Sequence, residues 1–355
     1  MEIPKKMKAM VITAPNEYAI KEIKTPVPGP GEVLAKIKAV AICGSDPKIF
    51  NGDSFGFLPP AYPFIAGHEW SGEIVSLGPD VKSFKIGDRV AGEAHKGCGF
   101  CENCKKGNYN LCLNYGKNEL GHHHYGFTYQ GAYAEYNIYS IMAISKIPEN
   151  ISYEEASMCD TGGIALHAIE LTGITPGGNV VILGPGPVGL MIHLFTKAMG
   201  AGNVIMVGRG DRLKIASNLG ADYIINYEKE NVVERIKEIT KQIGADEIFE
   251  CSGASISIIN SIKAVRKGGK IVLIGIPSKW QIDQVPIKDV IMNEIQVLGS
   301  RGNPNVVAKV IDLMARGKIN VKPLITHTFP LERMHEALNT FEKRLDGAMK
   351  VIIKP

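Results

Sequence analysis

The chain has 355 residues, of which 45% are hydrophobic and 21% charged, and its formal net charge is +4. This length predicts two domains, and the small, dispersed charge argues against nucleic-acid binding. We expect a cytoplasmic protein with no membrane partner, because the sequence has neither a signal segment nor an apolar stretch of spanning length. In that reducing setting the seven cysteines are expected to be ligands, nucleophiles or buried thiols rather than disulfides.

The first third of the chain alternates between short apolar runs and Gly/Pro turns, and this pattern predicts a β-rich region. Cys43 and the pair His68-Glu69 lie beside glycines at the ends of predicted strands. Cysteine, histidine and glutamate side chains are the usual protein ligands of zinc. These residues are therefore candidate metal ligands.

A second group of candidate ligands lies between residues 95 and 115. Three cysteines follow a C-x2-C-x2-C spacing and a fourth closes the set: Cys98, Cys101, Cys104 and Cys112. Four thiolates satisfy tetrahedral zinc and leave no open position, so we interpret this lobe as a structural zinc site. Disulfides are the alternative, which the tight spacing and the expected reducing setting oppose.

Three adjacent histidines, His122, His123 and His124, occupy a polar segment. Neighbouring side chains of an extended chain point in different directions, so one metal cannot readily bind all three. We interpret the segment as a loop, with the alternative that one histidine borders a substrate pocket.

The middle of the chain carries a strand followed by a G-x-G-x-x-G turn. The apolar run Val180–Leu183 precedes Gly184, Pro185, Gly186, Pro187, Val188 and Gly189, and an apolar helical pattern follows. Such glycines allow a tight turn and a close approach of the backbone to a pyrophosphate, which the helix N-terminus favours. Strands and helices then alternate up to about residue 298, and this order predicts a doubly wound parallel sheet. After it we expect a helix, a loop over 321–328, a second helix and a final strand.

Taken together, five motifs resemble one family over essentially the whole chain. They are Cys43-Gly-Ser-Asp46, Gly67-His68-Glu69, the four-cysteine lobe, the turn Gly184–Gly189 and Ala348-Met349-Lys350-Val351-Ile352. The sequence resembles the zinc-dependent medium-chain dehydrogenases/reductases, which include alcohol, polyol and threonine dehydrogenases. The resemblance implies a GroES-like catalytic domain over 1–153, a dinucleotide-binding Rossmann domain over 154–298, and a return to the catalytic domain over 299–355.

The resemblance also implies a catalytic zinc, and so two zinc ions per chain. By position its protein ligands are Cys43, His68 and Asp160, with Cys159 as a rival to Asp160. In polyol dehydrogenases the acid corresponding to Glu69 can itself bind zinc. Since a further carboxylate would make the site anionic, we expect Glu69 to support the site or to bind only intermittently.

The same family implies that zinc lowers the pKa of an alcohol whose hydride passes to nicotinamide. Ser45 matches the hydroxyl that takes the alcohol proton, and Lys48 stands where many members have the histidine that completes this relay. The alternatives are that Lys48 binds a ribose hydroxyl, that it faces an anionic group of the substrate, or that water carries the proton. Lys350 resembles a basic residue on the cofactor pyrophosphate. Arg301 resembles an arginine of the substrate pocket in polyol dehydrogenases.

Residues after the second strand of the dinucleotide fold indicate which nicotinamide cofactor binds. NAD enzymes place an acid there on the ribose 2′-hydroxyl, but this chain has Gly208 followed by Arg209. A guanidinium binds a 2′-phosphate in bidentate fashion, and Arg212 and Tyr227 are candidates for further contacts. The alternative is that Asp211 takes the role of the acid. We favour NADP(H) over NAD(H).

The sequence therefore predicts a zinc-dependent oxidoreductase that transfers hydride between NADP(H) and a polyol or other secondary alcohol, or the matching ketone. Threonine 3-dehydrogenase-like and sugar-phosphate dehydrogenase activities using NAD are alternatives, and a non-catalytic nucleotide-binding sensor is another. We expect a homo-oligomer, a tetramer in preference to a dimer.

Overall fold

The computed structural model describes residues 2–53, 59–277 and 281–355. The chain divides into two compact units, Met1–Gly163 with Gly302–Pro355, and Ile164–Arg301. The first division lies within a helix, Cys159–Thr172, and so falls later than the predicted boundary at residue 153. Among the described residues, no helix combines the length and apolar character needed to cross a bilayer.

The first unit is built on a seven-stranded sheet. Its strands run in the spatial order Ile325–Pro330, Lys350–Lys354, Glu32–Ala41, Glu69–Leu77, Arg89–Gly92 and Ile144–Lys146, and Tyr136–Ser140 pairs with Glu32–Ala41. Two antiparallel pairs accompany it, Lys6–Ala14 with Glu17–Lys24, and His95–Lys96 with His123–His124. Alternating apolar residues of these strands form the core of the unit.

The second unit contains a six-stranded parallel sheet. Its spatial order is Tyr223–Asn226, Asn203–Gly208, Asn179–Leu183, Ala245–Glu250, Val265–Leu273 and Gln296–Gly299. In chain order this is 3-2-1-4-5-6, the arrangement of dinucleotide-binding folds. The central strands are apolar and buried, as expected of a sheet covered on both faces. The predicted doubly wound α/β fold is confirmed.

Helices connect these strands. The α-helices are Asp46–Phe50, Glu102–Lys105, Tyr153–Ser157, Cys159–Thr172, Pro187–Ala198, Gly210–Asn218, Val232–Ile239, Ser255–Ala264, Ile287–Met292, Val307–Ala315 and Met334–Lys343. Short 3-10 turns lie at Tyr109–Leu111, Asn118–Leu120, Ile141–Ala143, Lys322–Leu324, Leu331–Arg333 and Leu345–Gly347. Ser152 begins its helix with a capping box, in which its hydroxyl accepts from Glu155 N and the Glu155 carboxylate accepts from Ser152 N.

The elements that differ from the sequence expectation include a strand and a helix. The predicted loop over 321–328 contains the strand Ile325–Pro330, which pairs in parallel with Lys350–Lys354. Its β-branched residues are typical of a strand. The strand with which it pairs comes about 25 residues later in the chain, so no local hairpin pattern indicated the pairing. The helix Ile287–Met292 was not predicted, because six residues are too few to establish a helical period.

A testable consequence concerns the third glycine of the turn. A Cβ on Gly189 would lie closer than 3.0 Å to the carbonyl oxygen of Gly184. We expect Gly189→Ala to lower the free energy of unfolding by about 1–3 kcal/mol, as overpacking does, measured by urea denaturation. The control is Gly299→Ala, because a Cβ there meets no atom within 4 Å. Equal effects of the two substitutions would contradict this interpretation.

Candidate active site and metal centres

Three candidate ligands meet in the first unit. The ligand atoms of Cys43, His68 and Glu69 all lie within 4.8 Å of one another. Strand register explains this, because Ala41 pairs with Glu69 in an antiparallel ladder, so Cys43 follows one strand end where His68 precedes the next. His68 and Glu69 are 3% and 1% exposed. The site is therefore set by long-range pairing, with His68 and Glu69 buried and Cys43 half-buried.

The residues around His68 fix its position. Gly67 has φ +94°, and a Cβ on it would lie 2.9 Å from the ring of Tyr133, so this position requires glycine. Asp46 accepts hydrogen bonds from Cys43 N and from the Tyr133 hydroxyl, each at 2.8 Å. Its other carboxylate oxygen lies 3.7 Å from His68 Nδ1. Asp46 thus joins the cysteine and histidine segments.

Electrostatics at this site favour a bound cation. Burial opposes a charged imidazolium, yet Cys43, Asp46 and Asp160 outweigh it and raise the pKa of His68 to about 10. Burial also raises the pKa values of Asp46 and Asp160 above the ordinary aspartate value. Such a concentration of buried acidic groups around an imidazole is stabilised by a metal ion, whose charge favours the ionised ligands.

Lys350 has a partner that the sequence did not indicate. It is 1% exposed and donates to a carboxylate oxygen of Glu69 and to Ile42 O. The pairing of Ile352 with Ala41 places Lys350 beside the Cys43 segment. Lys350 is therefore a partner of Glu69, and its contact with the cofactor pyrophosphate stays a prediction.

Asp160 does not belong to the group defined by the three ligand atoms above. One carboxylate oxygen accepts from Ala94 N at 3.1 Å and from Asn303 Nδ2 at 2.8 Å. The close group of ligand atoms therefore includes Glu69 and leaves Asp160 outside it, and which of the two is the third ligand stays a prediction. The rival Cys159 is fully buried, and burial raises the pKa of its thiol.

The two predicted proton-relay residues differ in exposure. Ser45 precedes the helix Asp46–Phe50, and its buried Oγ has no hydrogen-bond partner among the described residues. Lys48 lies on the exposed side of the same helix. A buried hydroxyl two residues after Cys43 is therefore available to a substrate oxygen, whereas Lys48 faces water.

The four-cysteine lobe has the geometry of a tetrahedral metal site. The ligand atoms of Cys98, Cys101, Cys104 and Cys112 lie within 4.8 Å of one another, and all seven cysteines are free thiols. Two sulfur pairs are 3.9 and 4.0 Å apart, close to the edge of about 3.8 Å expected of a Zn–S₄ tetrahedron. Backbone N–H groups of Cys101 and Cys104 point at sulfur atoms of the set.

The three adjacent histidines are more ordered than a plain loop. His123–His124 pairs with His95–Lys96 as a short β-ribbon. The ring of His124 stacks on Phe127 at 4.0 Å, and Phe127 lies 4.6 Å from the ring of His68. His124 is thus separated from His68 by one aromatic ring. That one histidine borders a substrate pocket stays a prediction.

In the second unit the glycine turn joins the strand Asn179–Leu183 to the helix Pro187–Ala198. Gly184 has φ +109°, and Gly186 is the N-cap of the helix, with Pro187 in its first turn and Val188 half-buried. The nearest atom to a Cβ placed on Gly186 is Arg212 Nη1, at 3.8 Å. A cation therefore lies beside the turn, at a helix N-terminus suited to a phosphate.

The predicted cofactor-specificity residues lie together after the next strand. Gly208 ends the strand Asn203–Gly208, and Arg209 caps the following helix. Arg209 Nη1 donates to Glu228 Oε1 at 2.7 Å, and its guanidinium lies 5.8 Å from the Tyr227 ring centroid. Arg301 is exposed after the last strand of this sheet.

Sequence reasoning missed three supporting residues of the first unit. Asn303 binds Asp160, Thr161 donates to a Glu69 carboxylate oxygen at 2.8 Å, and Tyr133 donates to Asp46. Their partners are 143, 92 and 87 residues away, so no local pattern could have indicated them.

Comparisons with known proteins agree with this architecture. Residues 29–149 match the family model of the alcohol dehydrogenase GroES-like domain, and residues 187–316 match that of zinc-binding dehydrogenases. The chain is 35% identical to sorbitol dehydrogenase of Bacillus subtilis, over 99% of this chain and 98% of that protein. It is 34% identical to D-arabitol-phosphate dehydrogenase of Enterococcus avium, with coverages of 99% and 98%.

Two solved structures resemble the fold over 99% of this chain and 100% of theirs. One is a zinc-binding dehydrogenase from Sinorhizobium meliloti bound to NADP, with a TM-score of 0.90 and 28% identity. The other is an Escherichia coli alcohol dehydrogenase complexed with NADH, with a TM-score of 0.89 and 30% identity. The chain belongs to the zinc-dependent medium-chain dehydrogenase/reductase family. Within it, the chain is a zinc-type oxidoreductase related to the polyol dehydrogenases.

The buried pair of Lys350 and Glu69 gives a testable prediction. We expect Lys350→Met to lower the free energy of unfolding of the zinc-free protein by about 3–5 kcal/mol, because it leaves a buried carboxylate unpaired. Adding Glu69→Gln should restore much of this loss. Urea denaturation measures both effects.

The matched control is Lys354→Met on the same strand, whose ammonium pairs with Glu154 at 2.5 Å but is half exposed. Its effect should stay below about 1 kcal/mol. The absence of any recovery in the Lys350→Met/Glu69→Gln double variant would refute the pairing.

Proposed function

We propose that this protein is a zinc-dependent dehydrogenase that transfers hydride between NADP(H) and a polyol or related secondary alcohol, or reduces the matching ketone. The observation that carries the proposal is the close group of Cys43, His68 and Glu69, together with the buried Ser45 hydroxyl, which has no hydrogen-bond partner among the described residues. A thiolate, an imidazole and a carboxylate are a donor set typical of catalytic zinc with one position left open.

In this proposal Cys43, His68 and Glu69 hold the catalytic metal, and the four-cysteine lobe holds a structural one. When bound, zinc supplies a Lewis acid that lowers the pKa of an alcohol oxygen. Lys350 and Thr161 orient Glu69, and Asp46 fixes the segment of Cys43 and faces His68. Asp160, held by Ala94 and Asn303, is the alternative third ligand.

The proton of the alcohol has a defined acceptor in this proposal. Ser45 Oγ is buried and unbonded among the described residues, so its hydrogen-bonding capacity is available to a substrate hydroxyl. Lys48 follows on the exposed side of the same helix and leads toward water. The relay therefore begins at Ser45 and ends in water near Lys48, whose ammonium donates hydrogen bonds and has no lone pair to accept a proton.

The cofactor assignment depends on the second unit. Gly208 removes the carboxylate that would repel a 2′-phosphate, and Arg209, Arg212 and Tyr227 supply cationic and aromatic groups near the turn. NADP in the Sinorhizobium meliloti relative supports this assignment, and NADH in the Escherichia coli relative supports the NAD alternative. We favour NADP(H).

A second candidate substrate class is sugar phosphates. The relative from Enterococcus avium is named for a phosphorylated polyol, and Lys48 and Arg301 are exposed cations of this chain. A phosphate group on the substrate would bind such residues as charge partners.

A spectrophotometric panel tests the proposed function. The purified protein is assayed with polyols, diols, sugar phosphates and threonine, each with NADP and NAD. We expect activity on a polyol or secondary alcohol, with kcat/KM about tenfold or more higher for NADP, because a bidentate charge-assisted contact contributes 1.5–3 kcal/mol. A preference for NAD would contradict the cofactor assignment. Activity confined to sugar phosphates or threonine would contradict the proposal that the substrate is a polyol or secondary alcohol.

Ser45 gives a second test. We expect Ser45→Ala to lower kcat by about a hundredfold or more, since proton transfer by a positioned group contributes that much. Ser45→Thr, which keeps a hydroxyl, should retain more activity than Ser45→Ala. The zinc content of both variants should match the wild type. Full activity in Ser45→Ala would remove Ser45 from the relay.

A further inference from the structure

A proline of the glycine turn faces the end of the second strand. A Cβ placed on Gly208 would lie closer than 3.0 Å to both Cδ and Cγ of Pro185, a separation that real Cβ atoms essentially never show. Both residues are buried. The backbone of Gly208 is not left-handed, so its conformation alone would accept any residue. The Pro185 ring, rather than the backbone, requires glycine at position 208.

Hydrogen bonds hold this close approach in place. Gly184 N donates to Val207 O at 2.9 Å, which ties the turn to the residue before Gly208. Gly208 is also paired with Asn226 in the parallel sheet, and its carbonyl accepts from Tyr227 N at 3.3 Å. The proline ring is rigid, and hydrogen bonds hold both the glycine turn and the strand that ends at Gly208. Moving Pro185 away from Gly208 would therefore either break the pairing of that strand or displace the turn.

The position that Pro185 closes is the one where NAD-binding folds place an acidic side chain on the ribose 2′-hydroxyl. An aspartate or glutamate at 208 cannot be accommodated while Pro185 keeps its position. Two acids lie near this position. Asp211, the alternative acid, is in the first turn of the following helix and pairs with Lys214 at 2.8 Å. Glu228 follows the next strand and pairs with Arg209. Both partners of that pair are about half exposed, so a phosphate can displace Glu228 at small cost.

We propose that Pro185 and Glu228 determine the cofactor specificity of this enzyme: Pro185 excludes an acid at position 208, and Glu228 competes with a 2′-phosphate for Arg209. The inference rests on the proposed function as a nicotinamide-dependent dehydrogenase. It adds two residues that have opposite effects on the affinity for NADP(H). Pro185 favours NADP(H) by exclusion, and Glu228 limits how tightly the phosphate is held.

The steric part is tested by a double-mutant cycle on the full chain. Gly208→Ala adds only the Cβ, and we expect it to weaken NADPH and NADH alike by about tenfold or more, because it moves the turn. In a Pro185→Ala background the same substitution should weaken both by no more than about threefold. Dissociation constants come from the fluorescence of NADPH and NADH.

The effect of an acid at position 208 is tested with Gly208→Asp, made both in the wild type and in the Pro185→Ala variant. With Pro185 present, we expect weakened binding of both cofactors. With Pro185→Ala, NADH binding should recover, and the ratio of NADH to NADPH affinity should rise by about a hundredfold over the Pro185→Ala parent, as like-charge repulsion costs several kcal/mol. If Gly208→Asp alone binds NADH as tightly as the double variant, Pro185 does not exclude an acid.

Thermal unfolding of each variant keeps the test independent of catalysis. The destabilisation by Gly208→Ala should be smaller in the Pro185→Ala background, whichever cofactor the wild type prefers. A wild-type preference for NADH would refute the cofactor assignment while leaving this coupling measurable. Equal destabilisation in both backgrounds would overturn the steric part.

For Glu228, we expect Glu228→Gln to tighten NADPH binding about twofold to fivefold and to leave NADH binding unchanged, because it removes an anion that competes for Arg209. Glu230→Gln on the same segment is the control, since Glu230 lies by Arg235 instead. An unchanged Kd for NADPH in Glu228→Gln, or an equal gain in Glu230→Gln, would overturn the role of Glu228.

Discussion

The burial of several acidic groups around one histidine is the constraint on which the first unit depends. Asp46, Glu69 and Asp160 are 0%, 1% and 3% exposed, and the Cys43 thiol adds a fourth acidic group. Lys350 supplies one opposing charge, and hydrogen bonds from neighbouring backbone and side-chain groups stabilise part of the rest. Buried charges of one sign are costly unless they are paired or coordinate a metal. In the proposed function, a divalent cation bound at this position would therefore contribute to folding as well as to chemistry.

The fold assembles this centre through strand register rather than through local sequence. The antiparallel pairing of Glu32–Ala41 with Glu69–Leu77 brings Cys43 close to His68. The pairing of Lys350–Lys354 with Glu32–Ala41 brings Lys350 to the same place from the far end of the chain. The site is therefore sensitive to slippage of any of these strands, since a shift of one residue turns every side chain to the opposite face. Gly67 is an additional fixed point, because its left-handed backbone turns the chain into His68 against Tyr133.

Motifs with a fixed spacing were readable from the sequence, and contacts between distant segments were not. The four cysteines, the glycine turn and the alternation of strands and helices each follow from residues close together in the chain. Nothing local shows that the Lys350 ammonium lies on Glu69, or that Asn303 holds Asp160, because these pairs are 281 and 143 residues apart. From the sequence, Gly208 indicated only that the carboxylate of NAD enzymes is missing at this position. The structure adds that the neighbouring Pro185 leaves no room for a side chain.

The zinc content of the protein shows directly whether it has a metal centre besides the four-cysteine lobe. The protein is purified without chelator, and zinc is measured per chain for the wild type, for Cys43→Ser and for Cys104→Ser. We expect about two zinc per chain for the wild type and about one for Cys43→Ser, which keeps the four-cysteine lobe. In Cys104→Ser the loss should come from the lobe and be accompanied by lower thermal stability. One zinc per wild-type chain, unchanged by Cys43→Ser, would contradict the claim that Cys43, His68 and Glu69 form a metal centre.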